Sequence, residues 1–474
     1  MLFVTTQFLI FFLIVGAVYW SLPWHRARIL WLLAASIYFY ASWNASLALL
    51  VCCTACGDYL IGLGMERAGH SPWRRRLMWL SVLGNLGVLC YFKYANFFLR
   101  SLEEALLAAG QSASLPVLRV LLPVGISFYT FEAINYTVDV YLGRTRAERS
   151  LPRFLLFILF FPHLVAGPIV RARDFLPQIA RRKRWSWLRA HVAARLILLG
   201  LIKKLVIADR MAAFADPVFA NPGAHSSATL WMAALAYALQ VYGDFSGYTD
   251  LALGLAHLLG FRLAENFNMP YLAPNIAEFW RRWHISLSSW LRDYLFIPLG
   301  GSRGGPWKTA RNLLVVMTLA GLWHGAAWPF VVFGLVQGCF LIIHRGFRGW
   351  CESRPGLRTV LESGPGTAAR VAFTFCCFCV SLVVFRCVTL ADGWTMLLGM
   401  FTAVDGLGPP LQVQALAFTV ALVALGHWLG CQQRYQLLLE RVPAPAWGLV
   451  YGALLTATLV LAPDSSKAFV YFQF

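Results

Sequence analysis

Two histidines, His284 and His324, carry the strongest chemical signal in the chain. The first stands in Trp280-Arg281-Arg282-Trp283-His284-Ile285-Ser286-Leu287-Ser288-Ser289-Trp290, the second in Gly321-Leu322-Trp323-His324-Gly325-Ala326-Ala327-Trp328. An ionisable side chain at membrane depth is expensive, so it lines a cavity or pathway and marks a functional hypothesis by default. Imidazole also titrates near neutral pH, which suits proton transfer. The alternative for each is a hydrogen-bonded structural histidine between helices.

Other polar residues in apolar surroundings are secondary candidates. His163 lies in a Pro-His-Leu-Val-Ala-Gly-Pro bend and reads as structural or tunnel-lining. Asp244 and Asp250 flank an aromatic bend that holds Ser246 and Tyr248. A broken helix with an acid at depth suggests a tunnel wall; burial of the acid against an arginine is the competing reading. Trp283, Ser288 and Trp323 adjoin the two histidines and are candidates for contacting substrate. Arg386, alone in an apolar run, is expected to pair with a carboxylate or to snorkel. His257, His344 and His427 lack comparable context. Cys52, Cys53, Cys56, Cys376, Cys377 and Cys379 fall in apolar runs, where cysteine behaves as a small hydrophobe. Neither a disulfide framework nor a metal site is expected.

The elements that position these groups lie in lipid. Of 474 residues, 59% are hydrophobic and 13% charged. Soluble domains run at roughly 45–50% and 25%, so the composition points to an all-α, polytopic membrane protein. Apolar runs recur near 4–22, 29–62, 77–98, 119–141, 152–170, 190–209, 229–260, 311–344, 368–390, 411–430 and 446–462. Some are long enough for two spans, so about eleven to thirteen membrane helices are expected. Arg26 and Arg28 follow the first run, which places that loop in the cytoplasm and the N-terminus outside, with no cleaved signal peptide. The formal charge of +19 is concentrated in arginine clusters such as Arg74-Arg75-Arg76 and Arg181-Arg182-Lys183-Arg184. They read as topology signals and contacts to anionic lipid, not to nucleic acid.

The segment 262–310 breaks the pattern. It holds Glu265, Glu278, Arg281, Arg282, Arg292 and Asp293 among bulky apolar residues. Such backbone at membrane depth is tolerated only inside protein or beside water. Asn275 followed by Glu278 predicts a helix start, and a helix continued from there would put His284 on one face with Trp280, Ser288 and Leu291. The Gly300–Gly305 stretch would end it, giving a re-entrant or interfacial element that leads into the His324 helix.

These motifs resemble those of the membrane-bound O-acyltransferase family, in particular its bacterial branch that supplies acetyl groups to exported polysaccharides. The matching segments are Tyr91-Phe92-Lys93-Tyr94-Ala95-Asn96-Phe97, Leu122-Pro123-Val124-Gly125-Ile126-Ser127-Phe128-Tyr129 and Phe161-Pro162-His163-Leu164-Val165-Ala166-Gly167-Pro168. Tyr242 through Asp250, Glu278 through Gly301, and Gly321-Leu322-Trp323-His324-Gly325 complete the set, in order and spacing, over about residues 1–345. The resemblance implies one membrane domain over 1–474: a catalytic core at about 119–345, C-terminal helices at 368–462 and an aromatic tail at 469–474. It implies a ring of tilted helices around a central tunnel joining a cytoplasmic donor to an extracytoplasmic acceptor. It makes His324 the essential catalytic residue and places His284 in the companion motif.

Acyl transfer from a thioester to a hydroxyl needs a base, donors for the oxyanion and exclusion of water. A neutral His324 would serve as general base, a role worth roughly 10²–10⁴ in rate, and burial favours the neutral form. His284 would orient the donor or stabilise charge. The tail, Phe469-Val470-Tyr471-Phe472-Gln473-Phe474, is similar to that of the small subunit accepting D-alanine in the teichoic-acid member of the family. Tyr471 is accordingly either an acyl relay, with a base such as His324 to activate a phenol of pKa about 10, or an interfacial anchor. No bound cofactor is implied; acetyl-CoA is the expected donor substrate. The implied partners are membrane lipids, a periplasmic or membrane-anchored SGNH-type acetyltransferase and, through it, an exported polysaccharide such as alginate or cellulose, at the bacterial inner membrane. Two alternatives stand beside this reading. One keeps the enzyme but changes the acceptor to lipid, protein or peptidoglycan. The other is a transporter or flippase without bond chemistry, although transporter halves carry paired broken helices and only one irregular segment is evident.

Overall fold

The computed structural model describes residues 3–111, 114–164, 167–432, 442–462 and 469. They form an all-α, multi-pass membrane protein; no strand occurs among the described residues, only two isolated bridges, one of them Phe267–Trp283. Among the described residues, five helices are long and apolar enough to cross a bilayer: Ala45–Ala68, Pro72–Ala108, Trp328–Glu352, Gly364–Arg386 and Val413–Gly430. Thr6–Ser21, Leu151–Leu164 and Pro445–Leu461 are shorter apolar helices. Of the long apolar runs, 29–62 resolves into His25–Ala41 and Ala45–Ala68, and 311–344 into Pro306–His324 and Trp328–Glu352. The 229–260 run is one helix, Ser227–Leu258.

The chain divides into two compact units. The first comprises Met1–Ile197 and Tyr248–Ala264. Side-chain oxygens start its helices: Asn44 Oδ1 accepts from Leu47 N–H at 2.9 Å, and Ser71 Oγ caps a helix that has Pro72 in its first turn. These caps satisfy N–H groups that no preceding turn can reach. In lipid every polar group needs a protein partner, and Asp58 shows how. Buried on Ala45–Ala68, it accepts from Ser81 Oγ at 2.5 Å and Asn85 Nδ2 at 2.9 Å on the next helix, while Ser81 also reaches Thr137 on Ile126–Tyr141.

The second unit comprises Leu198–Gly247 and Glu265–Phe474. Its core is aromatic and aliphatic, drawn from Asp209–Ala220, Ser227–Leu258, Ile276–Arg282, Trp328–Glu352 and Gly364–Arg386. Three of these helices are tied by a buried polar chain: Trp280 Nε1 donates to Gln337 Oε1 at 3.2 Å, and Gln337 Nε2 donates to Ser381 Oγ at 2.8 Å. Short π-helical turns interrupt the regular helices at Ile202–Ala208 and Arg292–Phe296. Such turns re-aim side chains and recur at functional sites.

Candidate active site

The Asn275 start forms as expected, with Oδ1 accepting from Glu278 N–H at 2.8 Å. The helix does not run on to His284. Ile276–Arg282 ends at Trp283, and Ile285–Leu291 begins after His284. The expected shared face with Trp280, Ser288 and Leu291 is therefore replaced by a break. Tertiary pairing causes it: Asn268 N–H donates to Arg282 O at 2.9 Å and Ile285 N–H to Asn266 O at 3.0 Å. His284 sits between these bonds in left-handed backbone, φ 45° and ψ 54°. That conformation costs a residue with a Cβ roughly 1–2 kcal/mol, so the flanking ladder must impose it. The Ile285–Leu291 helix then passes through the Arg292–Phe296 π turn to the glycine-rich loop, which Asn312 Nδ2 anchors by donating to Leu299 O and Gly301 O at 3.1 and 3.0 Å.

His324 is the last residue of Pro306–His324. Its neighbouring glycines are a packing requirement. A Cβ on Gly321 would stand 2.1 Å from Phe330 O, and one on Gly325 2.1 Å from the Phe330 ring. Both contacts lie below any tolerable van der Waals approach, so only glycine lets Trp328–Glu352 fold back this closely. The Gly-Leu-Trp-His-Gly motif thereby sets where the imidazole stands.

The two histidines and their tryptophan meet in one buried cluster. The ring of His284 is 5.8 Å from that of Trp323, and Trp323 is 5.1 Å from His324. Phe385 closes over His324 at 5.4 Å, and Phe245 stands edge-on to His284 at 4.6 Å. His284 is fully buried and His324 only 6% exposed. Trp283 packs in an aromatic group with Phe279, Phe378 and Phe267, and Phe267 in turn stands 5.0 Å from Phe245. Ser288 is spent on the backbone, its Oγ donating to Trp283 O at 3.3 Å.

The remaining candidates have other partners. The helix stays unbroken through 242–250, contrary to the expected bend. Asp244 has a lysine partner. Lys204 Nζ lies 2.8 Å from Asp244 Oδ1 and 2.9 Å from Asp209 Oδ1, all three buried. Ser246 is buried on the same helix. Tyr248 belongs to the first unit, 5.8 Å from the ring of Phe3. His163, also in the first unit, has Nδ1 3.2 Å from Glu132 Oε1, which accepts from Val170 N–H at 2.9 Å. Arg386 pairs with Asp216 at 3.0 Å. Tyr471 lies outside the described residues, whereas Phe469 is buried with its ring 6.0 Å from Phe245.

Sequence reasoning missed Asn266, Phe245, Phe385 and the Lys204–Asp209 pair. The rule that singled out the histidines applies equally to Lys204 and Asp209, charges at the end of the 190–209 apolar run. No local signal marks Asn266.

Residues 67–385 match the model of the membrane-bound O-acyltransferase family. A probable alginate O-acetylase of Azotobacter vinelandii is 43% identical, covering 85% of this chain and 79% of its own length. A probable alginate O-acetylase of Pseudomonas putida is 38% identical over the full length of both chains. A peptidoglycan O-acetyltransferase of Helicobacter pylori is 36% identical over 67% of this chain and 64% of its own. The transporter alternative gives way to acyl-transfer chemistry, because the matched residues span both histidines and the relatives are acyltransferases. The chain is an acyltransferase and belongs to the membrane-bound O-acyltransferase family.

Proposed function

We propose that this protein moves acetyl groups from cytoplasmic acetyl-CoA across the bacterial inner membrane for O-acetylation of an exported polysaccharide. The observation that carries the reading is the buried cluster of His284, Trp323 and His324, which lies within the family-matching residues. In the proposed step the acceptor hydroxyl oxygen attacks the thioester carbonyl while His324 takes the hydroxyl proton. The C–O bond forms, the C–S bond breaks, and the imidazolium returns the proton to the departing thiolate. The aromatic shell of Phe245, Trp323 and Phe385 supports this by keeping water out, so the acetyl group is passed on instead of hydrolysed.

Tyr471 is the proposed first acceptor, holding the acetyl group as a phenyl ester for a periplasmic or membrane-anchored SGNH-type transferase. Burial of Phe469 against Phe245 supports a tail that reaches the cluster. Alginate is the acceptor polymer favoured by the similarity to probable alginate O-acetylases. Peptidoglycan is the second reading, favoured by the Helicobacter pylori relative.

The test is purified protein in lipid nanodiscs with radiolabelled acetyl-CoA, alongside the O-acetyl content of exported polymer in cells. Thioester consumption by the wild type and its loss in His324→Ala are expected. Equal consumption by both would overturn the assignment.

A further inference from the structure

The hydrogen bonds around Asn266 decide which nitrogen of His284 carries the proton. Asn266 is buried, and its side-chain oxygen lies 3.1 Å from Ser286 N, 2.9 Å from Ser286 Oγ and 3.1 Å from His284 Nδ1. A backbone N–H can only donate, so the atom facing Ser286 N is the amide oxygen, and the amide cannot be flipped. That oxygen has no hydrogen to give. His284 Nδ1 must therefore be the N–H donor of their bond, and in the neutral ring Nε2 is then the bare lone pair. Nε2 is buried and meets no hydrogen-bond partner among the described residues. A ring held this way cannot donate to an oxyanion while neutral. It can only accept.

We propose that Asn266 is a positioning residue that locks His284 in the Nδ1–H tautomer, so that Nε2 accepts an N–H or O–H from the bound substrate. The proposal rests on the acyl-transfer reading above and removes one of its options, that His284 stabilises the oxyanion as a donor. The backbone carries the same message. Asn266 O accepts from Ile285 N–H while Asn266 Oδ1 accepts from Ser286 N–H, so the residue that orients the His284 ring also holds one side of its left-handed turn. Strain of this kind persists only where the surroundings over-determine it, and it clusters at functional sites. The unmet Nε2 stands beside the Trp323 and Phe245 rings, where a buried polar atom calls for a partner.

The charged and titratable groups on the elements around His284 include His324, at the end of its helix; Asp244 beside Phe245, ion-paired to Lys204, with Tyr242 and Asp250 on the same helix; Glu278, paired with Arg281 and Arg282; Arg292 and Asp293, paired with each other; and Glu265 beside Asn266, exposed. A carboxylate in place of the Asn266 amide would be the closest negative charge to the ring, and an opposite charge at that range favours the imidazolium.

Two measurements test the proposal, one of them independent of turnover. Solid-state 15N NMR of ring-labelled histidine in lipid vesicles, compared between the wild type and His284→Gln, isolates the His284 signals. A neutral ring protonated at Nδ1 and bare at Nε2 is expected; protonation at Nε2 overturns the proposal even if acetyl-CoA is not the donor. The second is the pH profile of acetyl-CoA consumption by Asn266→Asp and Asn266→Ala. Asn266→Asp should keep the bond and move the acid limb upward by one unit or more, regaining activity at alkaline pH. Asn266→Ala should lower kcat about tenfold or more with KM within threefold. An unmoved acid limb in Asn266→Asp overturns the proposal, whether or not Asn266→Ala folds. A wild type that consumes no acetyl-CoA counts against the donor assignment alone, because the NMR result stands without it.

Discussion

The ring of Phe469 packs 6.0 Å from that of Phe245, and Phe245 in turn stands 4.6 Å from His284. A residue from the last few of the chain is thus one aromatic ring removed from the candidate active site. Tyr471 follows two positions later in the sequence. Tyr471→Phe keeps the aromatic ring and removes only the oxygen of the proposed nucleophile. O-acetylation of the exported polymer is expected to fall to background while the membrane level of the protein is unchanged. Full acetylation in that variant would leave the tail as an anchor.

His324→Ala removes the proposed base without disturbing the Gly321 and Gly325 contacts that fold the hairpin. Turnover should fall by roughly 10²–10⁴, the usual worth of general-base catalysis. Detergent-solubilised protein should keep its size-exclusion profile. A variant that turns over at the wild-type rate would move the proton acceptor elsewhere.

Gly321→Ala probes the packing that sets the imidazole in place. Its Cβ would meet Phe330 O, a backbone atom that cannot swing aside. Overpacking of this kind costs about 1–3 kcal/mol, so a lower melting temperature in detergent should accompany reduced activity. Unchanged stability would show that the two helices can separate freely.

Lys204→Met leaves Asp209 and Asp244 without their shared cation. Removing one member of a buried ion pair costs about 3–5 kcal/mol because the remaining charge stays buried. The variant should express poorly and melt early, and Lys204→Met with Asp244→Asn should recover part of the loss. An additive double variant would deny the coupling.

Glu278 gives the pH dependence a defined sign. Its hydrogen bond to Arg282, then the charges of Arg281 and Arg282, hold the carboxyl below the ordinary carboxylate range. A depressed folded-state pKa stabilises above the unfolded value, about 4.3, and that contribution fades as pH falls through the folded one. The pair is partly open to solvent, which screens it and keeps the effect to about 1 kcal/mol. Glu278→Gln should melt slightly earlier than wild type at pH 7, with the difference closing towards pH 3.

Much of this protein was legible in the amino-acid order because lipid imposes its rules residue by residue. Apolar runs marked the helices, Asn275 marked a helix start, and the expense of imidazole at membrane depth drew attention to His284 and His324, which pack through Trp323. Arg386 found its carboxylate for the same reason. The arrangement around those residues was not legible. Helical periodicity from Asn275 runs straight past His284, yet the chain breaks there, because Asn266 and Asn268 pair across the segment and outweigh the local preference for helix. The same periodicity is silent on Asp244, whose partner Lys204 arrives from a separate helix. Aromatic spacing suggested a bend at 242–250 that close packing turned into continuous helix. Hydropathy acts along the sequence and can be read there. The tautomer of a histidine and the partner of a buried acid depend on groups that only folding brings within hydrogen-bond range, and these the tertiary structure alone decided.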